Sequence, residues 1–174
     1  LGTIVFGQAR NTTLAPAVLA VRELLTRAEI PQRTPEDMLR ALWWKFMLNV
    51  GVNQISAVLR VSYAAFQTCE DARALVRQTC LEVVRIAEKS NIALTEADIN
   101  AIFPILARLS PEKTTSMLQD VEAGRKTEVE IFGGTVTALG KRLDVPTPMN
   151  DVLVRMIRVI EQHSSADLSH PPAR

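Results

Sequence analysis

Lys45, Asn49 and Asn53 stand four residues apart in Trp43-Trp44-Lys45-Phe46-Met47-Leu48-Asn49-Val50-Gly51-Val52-Asn53-Gln54-Ile55. Residues at that spacing share one side of a helix. At about 100° per residue the trio spans an 80° sector, to within roughly a side chain's width. Ser56 falls into the same sector. One face thus presents an ammonium, two carboxamides and a hydroxyl in an apolar surround. A buried ammonium is costly unless it is paired, so the pattern suits a pocket for a small oxygen-rich ligand. A polar stripe on an amphipathic helix is more often its solvent face. Here the stripe is narrow, it is mostly carboxamide, and the paired tryptophans beside Lys45 point to burial on more than one side.

A second segment groups a hydroxyl, acids and bases around a glycine: Ser116-Met117-Leu118-Gln119-Asp120-Val121-Glu122-Ala123-Gly124-Arg125-Lys126-Thr127-Glu128. Taken alone it reads as a solvated helix–turn–helix junction, because charged side chains are mostly exposed.

The elements that must position these residues are almost all helical. Residues 2–6 form a short β-branched apolar run between glycines, which predicts a strand; everything after it reads as helix. Thr13-Leu14-Ala15-Pro16 opens a helix to about Ala28, with Pro16 tolerated in its first turn. Thr34-Pro35-Glu36-Asp37 combines an N-cap, a proline at the first position and acids in the first turn. It predicts a helix to about Leu59 that carries the polar stripe. Gly51 within it costs about 1 kcal/mol relative to alanine, which suits close approach of another helix or a ligand. Ser62 to Phe66 is a turn or short helix. Residues 70–89 have helical apolar spacing, with Asn91 as a helix end. Thr95-Glu96-Ala97-Asp98 resembles a capping box opening a helix to about Leu109. Ser110-Pro111-Glu112 predicts a further helix through Val121, residues 127–142 another that includes Gly133-Gly134, and residues 149–162 the last. The segment from Ser164 to Arg174, rich in serine, proline and histidine, is expected to be disordered.

The bulk properties narrow the function classes. The chain has 174 residues, is 47% hydrophobic and carries a net charge of +1, enough for one cored domain plus a fragment of another. Its basic residues are scattered, without the stripe that nucleic-acid binding needs. Cys69 and Cys80 are too far apart for a CxxC motif, and their reduced, helical character fits the cytoplasm. His163 and His170 lie near or in the tail, which argues against a His-based metal site. No apolar run reaches membrane-spanning length, and no signal-peptide pattern opens the chain. The seven glycines contain no GxGxxG, so the loop that cradles a dinucleotide pyrophosphate is missing. The opening Leu1-Gly2-Thr3-Ile4-Val5-Phe6-Gly7 reads as a strand entered midway, the expected start of an excised piece of something longer.

Together the two polar segments resemble a family. The ordered set Trp43, Lys45, Asn49, Asn53, Ser116, Asp120, Gly124-Arg125, Thr127-Glu128, Gly134 and Pro146 resembles the C-terminal domain of ketopantoate reductase (2-dehydropantoate 2-reductase), over about residues 1–162. Each motif is short, but their order is specific. The resemblance implies an all-α, multi-helix domain of the 6-phosphogluconate-dehydrogenase-like type at residues 11–163. Residues 1–10 would be the end of a Rossmann domain and 164–174 a tail. It implies NADPH-dependent hydride transfer to the ketone of 2-dehydropantoate, giving pantoate for pantothenate synthesis. Lys45 would be the general acid. Asn49, Asn53 and Ser116 would bind substrate oxygens, and Glu128 would act where substrate and nucleotide meet. NADPH would be bound mainly by an N-terminal Rossmann domain, without which the chain is expected to be inactive. A homodimer is a further possibility.

Two departures stand out. Tyr63 occupies a position where members of the family often have a further substrate-binding asparagine, and Lys113 stands where another is expected. Two other readings therefore stay open: a reductase of a different 2-oxo acid on the same fold, and a helical dimerisation module in which the stripe is incidental and Lys45 lies on open surface.

Overall fold

The computed structural model describes the backbone of residues 2–167 and the side chains of residues 2–163. The chain divides into two compact units, with the boundary between Lys45 and Phe46 inside one continuous helix.

The first unit opens with β1 (Ile4–Val5), followed by α1 (Pro16–Arg27) and β2 (Gln32–Arg33). The strands pair in parallel, Ile4 with Gln32 and Val5 with Arg33, so this is a small β–α–β unit. The predicted strand is present at its centre, and Pro16 sits at the start of α1 as expected. β2 was missed: the stretch after the helix reads as a loop because Pro31 and a run of polar residues hide a two-residue strand.

The long helix α2 (Met38–Leu59) begins three residues later than a Thr34 cap with Pro35 at its first position predicts. Residues 36–38 instead run beside residues 9–11, where Asn11 N–H donates to Glu36 O and Met38 N–H to Ala9 O. Asp37, not Thr34, takes the capping role, accepting from Arg40 N–H at 2.9 Å. The pairing with residues 9–11 explains the change: it holds residues 36 and 37 out of the helix, so the first helical turn forms only after them.

In the second unit the C-terminal half of α2 is the most buried segment, with every residue from Val50 to Ala57 buried. Around it stand α3 (Tyr63–Thr68), α4 (Glu70–Lys89), α5 (Glu96–Asn100), α6 (Ile102–Leu106), α7 (Ser116–Glu122), a π-helical turn (Glu130–Gly134), α8 (Thr135–Leu143) and α9 (Pro148–Asp167). The helix expected over 95–109 is broken in two. Pro104 has no N–H, and its ring excludes the carbonyl four residues back, at Asn100, where α5 stops. The expected box holds at the start of α5, where Thr95 N–H donates to the Asp98 carboxylate at 2.9 Å.

The helix expected at Ser110 begins at Ser116 instead, capped by Thr115, which accepts from Leu118 N–H. The carbonyls of Pro111 and Lys113 are turned outward to receive the N–H groups of Ala64 and Tyr63, closing the open amino end of α3. The Gly133-Gly134 stretch forms the π-helical turn rather than ordinary helix. Asn91 ends α4 in the left-handed conformation, φ 56°, as a C-terminal asparagine can. The last helix continues to Asp167, four residues into the segment expected to be disordered. Nothing in Ser164-Ser165-Ala166-Asp167 breaks a helix; the prolines come later. The remainder of that expected tail, 168–174, lies outside the described residues. No helix among the described residues is long and apolar enough to cross a membrane.

Candidate active site: one face of the long helix

Three contacts fix the second-unit part of α2. On one side Gly51 meets α4: a Cβ added there would lie 2.3 Å from Cys80 Sγ. The Cys80 thiol donates to Met47 O at 3.4 Å, so the glycine serves helix–helix approach rather than a ligand. Burial pushes the Cys80 thiol up to about 12, because an apolar site disfavours the thiolate. On a second side the π-helical turn closes in, with Phe132 and Phe46 ring centroids 6.5 Å apart. On a third, Gln54 reaches Asn150 of α9, its Nε2 donating to Asn150 Oδ1 at 3.0 Å.

The polar stripe grades from open to closed along the helix. Lys45 is exposed, Asn49 half-buried, and Asn53 buried at 9% exposure. Among the described residues no side-chain hydrogen bond engages Lys45, Asn49 or Asn53. Neither carboxamide is among the buried side-chain atoms left without a partner, so both keep access to solvent or to a ligand. Ser56 does not belong with them. It is fully buried, and its hydroxyl donates to Val61 O at 2.7 Å, tying down the end of α2 where Arg60 turns left-handed at φ 53°.

Ser116 is exposed at the first position of α7. Glu128 is exposed just before the π-helical turn, where its carbonyl accepts from Ile131 and Phe132. It is therefore one helical turn from the ring that meets Phe46. Asp120 pairs with Arg125 at 2.7 Å on the surface, as a solvated junction would, and Gly124 takes φ 64° to turn the chain there. Thr127 is held from α9 by Glu161, which accepts from both its N–H and its hydroxyl at 2.7 Å. No hydrogen bond among the described residues joins Ser116 or Glu128 to the asparagines. A surface cavity of about 150 Å³ lies elsewhere, lined by Arg77, Gln78, Leu81, Glu96, Ile99 and Asn100; none of the expected site residues borders it.

A buried polar chain behind the stripe escaped the sequence analysis. Glu82 of α4, 3% exposed, accepts from Met149 N–H at 2.8 Å, Asn150 N–H at 3.0 Å and Asn150 Nδ2 at 2.7 Å. It is a carboxylate set at the amino end of α9, where orphan N–H groups and the helix dipole favour negative charge. The signal was present: Glu82 falls on the same helical face as Thr79, Val83 and Ile86, the buried side of α4.

These features define a class of protein: an all-helical domain built around one long helix that presents a hydrogen-bonding face. Comparison with known proteins gives the family. The profile described as ketopantoate reductase PanE/ApbA C terminal matches residues 37–161, and the chain belongs to that family of oxidoreductases. A 2-dehydropantoate 2-reductase from Mesorhizobium japonicum is 31% identical over 148 residues, covering 81% of this chain and 43% of the relative. A dimeric ketopantoate reductase from Staphylococcus aureus superposes with a TM-score of 0.75 at 25% identity, covering 86% of this chain and 52% of that one. D-mandelate dehydrogenase, solved with NADH and anilino(oxo)acetate, shares the fold with a TM-score of 0.81 at 20% identity, over 94% of this chain and 68% of that one. The chain spans from 40% to 53% of the length of the first curated relatives it matches.

Proposed function

We propose that this chain is the substrate-binding and catalytic half of an NADPH-dependent 2-dehydropantoate 2-reductase, working with a nucleotide-binding Rossmann domain of the same protein in the cytoplasm. The observation that carries the reading is the pair of unpartnered carboxamides, Asn49 and Asn53, on the helix that also bears Lys45. Carboxamides both donate and accept, which fits the carboxylate and hydroxyl oxygens of a hydroxylated 2-oxo acid. Ser116 adds a hydroxyl for the same ligand. NADPH, when bound, supplies the hydride. The glycines of this chain offer no pyrophosphate cradle, so its own contribution at the nucleotide is Glu128.

The chain's residues supply the proton and the polar environment. Hydride arrival at the ketone carbon builds negative charge on the oxygen. Lys45 stands one turn before Asn49 on α2, about 6 Å along the axis by backbone rise, and its ammonium is in no ion pair among the described residues. It stabilises that charge and delivers a proton to the oxygen, leaving the neutral amine. Lys45 is exposed, the placement the dimerisation-module reading expects; the enzyme reading needs it to line a cavity, whose second wall the Rossmann domain would supply.

A second reading, reduction of another 2-oxo acid, rests on one local observation. The two departures from the family pattern sit together: Tyr63 N–H donates to Lys113 O at 2.9 Å. Burial raises the Tyr63 phenol above its ordinary value, so it is a neutral donor at physiological pH. The two positions where the family pattern has asparagines are thus neighbours in the backbone, one a tyrosine and one a lysine.

The test is NADPH oxidation by the full-length protein with ketopantoate and with a panel of other 2-oxo acids. Preference for ketopantoate is expected, and activity confined to another acid would move the substrate while keeping the mechanism. Lys45→Ala should lower turnover by about 10²- to 10⁴-fold, the usual worth of general acid catalysis. An unchanged rate would remove Lys45 from the chemistry, and no activity with any acid would favour the dimerisation module.

A further inference from the structure

We infer that Gln54, held by Asn150 and Glu82, is a positioning residue that sets the rotation of α2 and so aims Asn49 and Asn53 at the substrate. The inference rests on the reading of those asparagines as substrate-binding.

The amide orientations along this chain are forced in sequence. The Glu82 carboxylate offers only acceptors, so Asn150 must turn Nδ2 toward it, at 2.7 Å. The same Nδ2 also reaches Thr79 O at 3.3 Å. Asn150 Oδ1 is then left facing α2, and only a donor can meet it. Gln54 therefore presents Nε2, which donates to Asn150 Oδ1 at 3.0 Å and to its own helix at Val50 O, 2.9 Å away. Its Oε1 is turned the other way and ends buried without a partner.

The same side chain also closes the π-helical turn. Gln54 Oε1 lies 2.2 Å and Val154 Cγ2 2.5 Å from where a Cβ on Gly133 would stand, so α2 and α9 together leave that position no room for a side chain. The whole chain is buried: Gln54 and Asn150 are 0% exposed.

The cost is an unsatisfied carbonyl oxygen in the core, where an apolar residue of the same length would fit without one. What the arrangement gives in return is orientation. Gln54 follows Asn53 and lies about 100° around the helix from it, and a side-chain tip sits roughly 5–6 Å from the axis. A rotation of about 10° would move the Asn53 carboxamide by about 1 Å at that radius. A misplacement of that size at a reacting complex costs about 100-fold. Apolar packing alone tolerates such rotation more readily than a hydrogen bond of fixed length does.

Gln54→Met separates this role from stability, because methionine fills the space and removes the orphaned oxygen. In the full-length protein Gln54→Met is expected to keep or raise the melting temperature. It is also expected to lower kcat/KM for the 2-oxo acid by 10- to 100-fold, mainly through KM, with the KM for NADPH within twofold of wild type. Glu82→Gln, which keeps the size but sets an amide NH2 against the Met149 or Asn150 N–H, should lower the melting temperature while showing the same kinetic split, and serves if Gln54→Met does not fold. Asn53→Ala is measured alongside. If Asn53→Ala is impaired and Gln54→Met is not, the positioning role is overturned while the substrate face stands. If Asn53→Ala retains full kcat/KM, the substrate-face reading fails and the positioning inference falls with it.

Discussion

At the scale of single residues, burial decides which of the chain's reactive groups are available. Cys80 is fully buried, whereas Cys69 is exposed at the start of α4. The Cys80 thiol titrates near 12 in the folded chain against a reference of 9.0. Its neutral form is therefore favoured by folding. The associated stability is fully present below pH 9 and is lost as pH rises from there through about 12. One proton's difference is worth about 1.4 kcal/mol per pH unit. Between pH 8 and 10.5 the wild type should lose about 2 kcal/mol more unfolding free energy than Cys80→Ala. Urea melts of the two proteins at both pH values measure the difference. Equal losses would mean that the thiol ionises in the folded state.

At the scale of elements, α2 is defined by what approaches it. Gly51→Ala would place a methyl 2.3 Å from Cys80 Sγ, closer than any real contact, at a cost of about 1–3 kcal/mol for overpacking. Cys80→Ala removes the opposing atom, and the next neighbour, Val76 Cγ1, is 3.4 Å away. The double variant should therefore recover most of the loss, with a coupling of about 1–3 kcal/mol in a thermal-melt cycle. Additive losses would place the two helices farther apart than described.

The same contacts show why some elements were legible and others not. The body of α4 follows from apolar periodicity and that of α2 from a long apolar run crossed by a polar stripe at helical spacing, both properties of the segment itself. The starts of α2 and α7 follow from pairings made elsewhere: residues 36–38 with 9–11, and the carbonyls of Pro111 and Lys113 with α3. No local pattern encodes those partners, so Thr34 and Ser110 offered caps that the chain does not use. The stripe was legible for a related reason. Lys45, Asn49 and Asn53 repeat at helical spacing, while Gln54, Glu82 and Asn150 are joined only in three dimensions, from three helices.

At the scale of the whole molecule, the division of labour follows from what this chain contains and what it lacks. The second unit has a core and the two asparagines of the hydrogen-bonding face; the described residues of the first form two short parallel strands, one crossover helix and the opening turns of α2. Parallel strands are ordinarily buried on both faces within a larger sheet, and a two-stranded pair is marginal by itself. Dinucleotide binding further needs a glycine-rich turn leading into a helix at the carboxyl end of such a sheet, and the glycines here are not spaced for it. The curated relatives are about twice as long as the matched part. Purified on its own, the 174-residue chain should therefore oxidise no NADPH with any 2-oxo acid above the rate in buffer. The full-length protein under the same conditions should turn over. Absorbance at the nicotinamide band measures both. Turnover by the isolated chain would mean that its own residues hold the nucleotide, and the assignment of that task to a Rossmann domain would have to be given up.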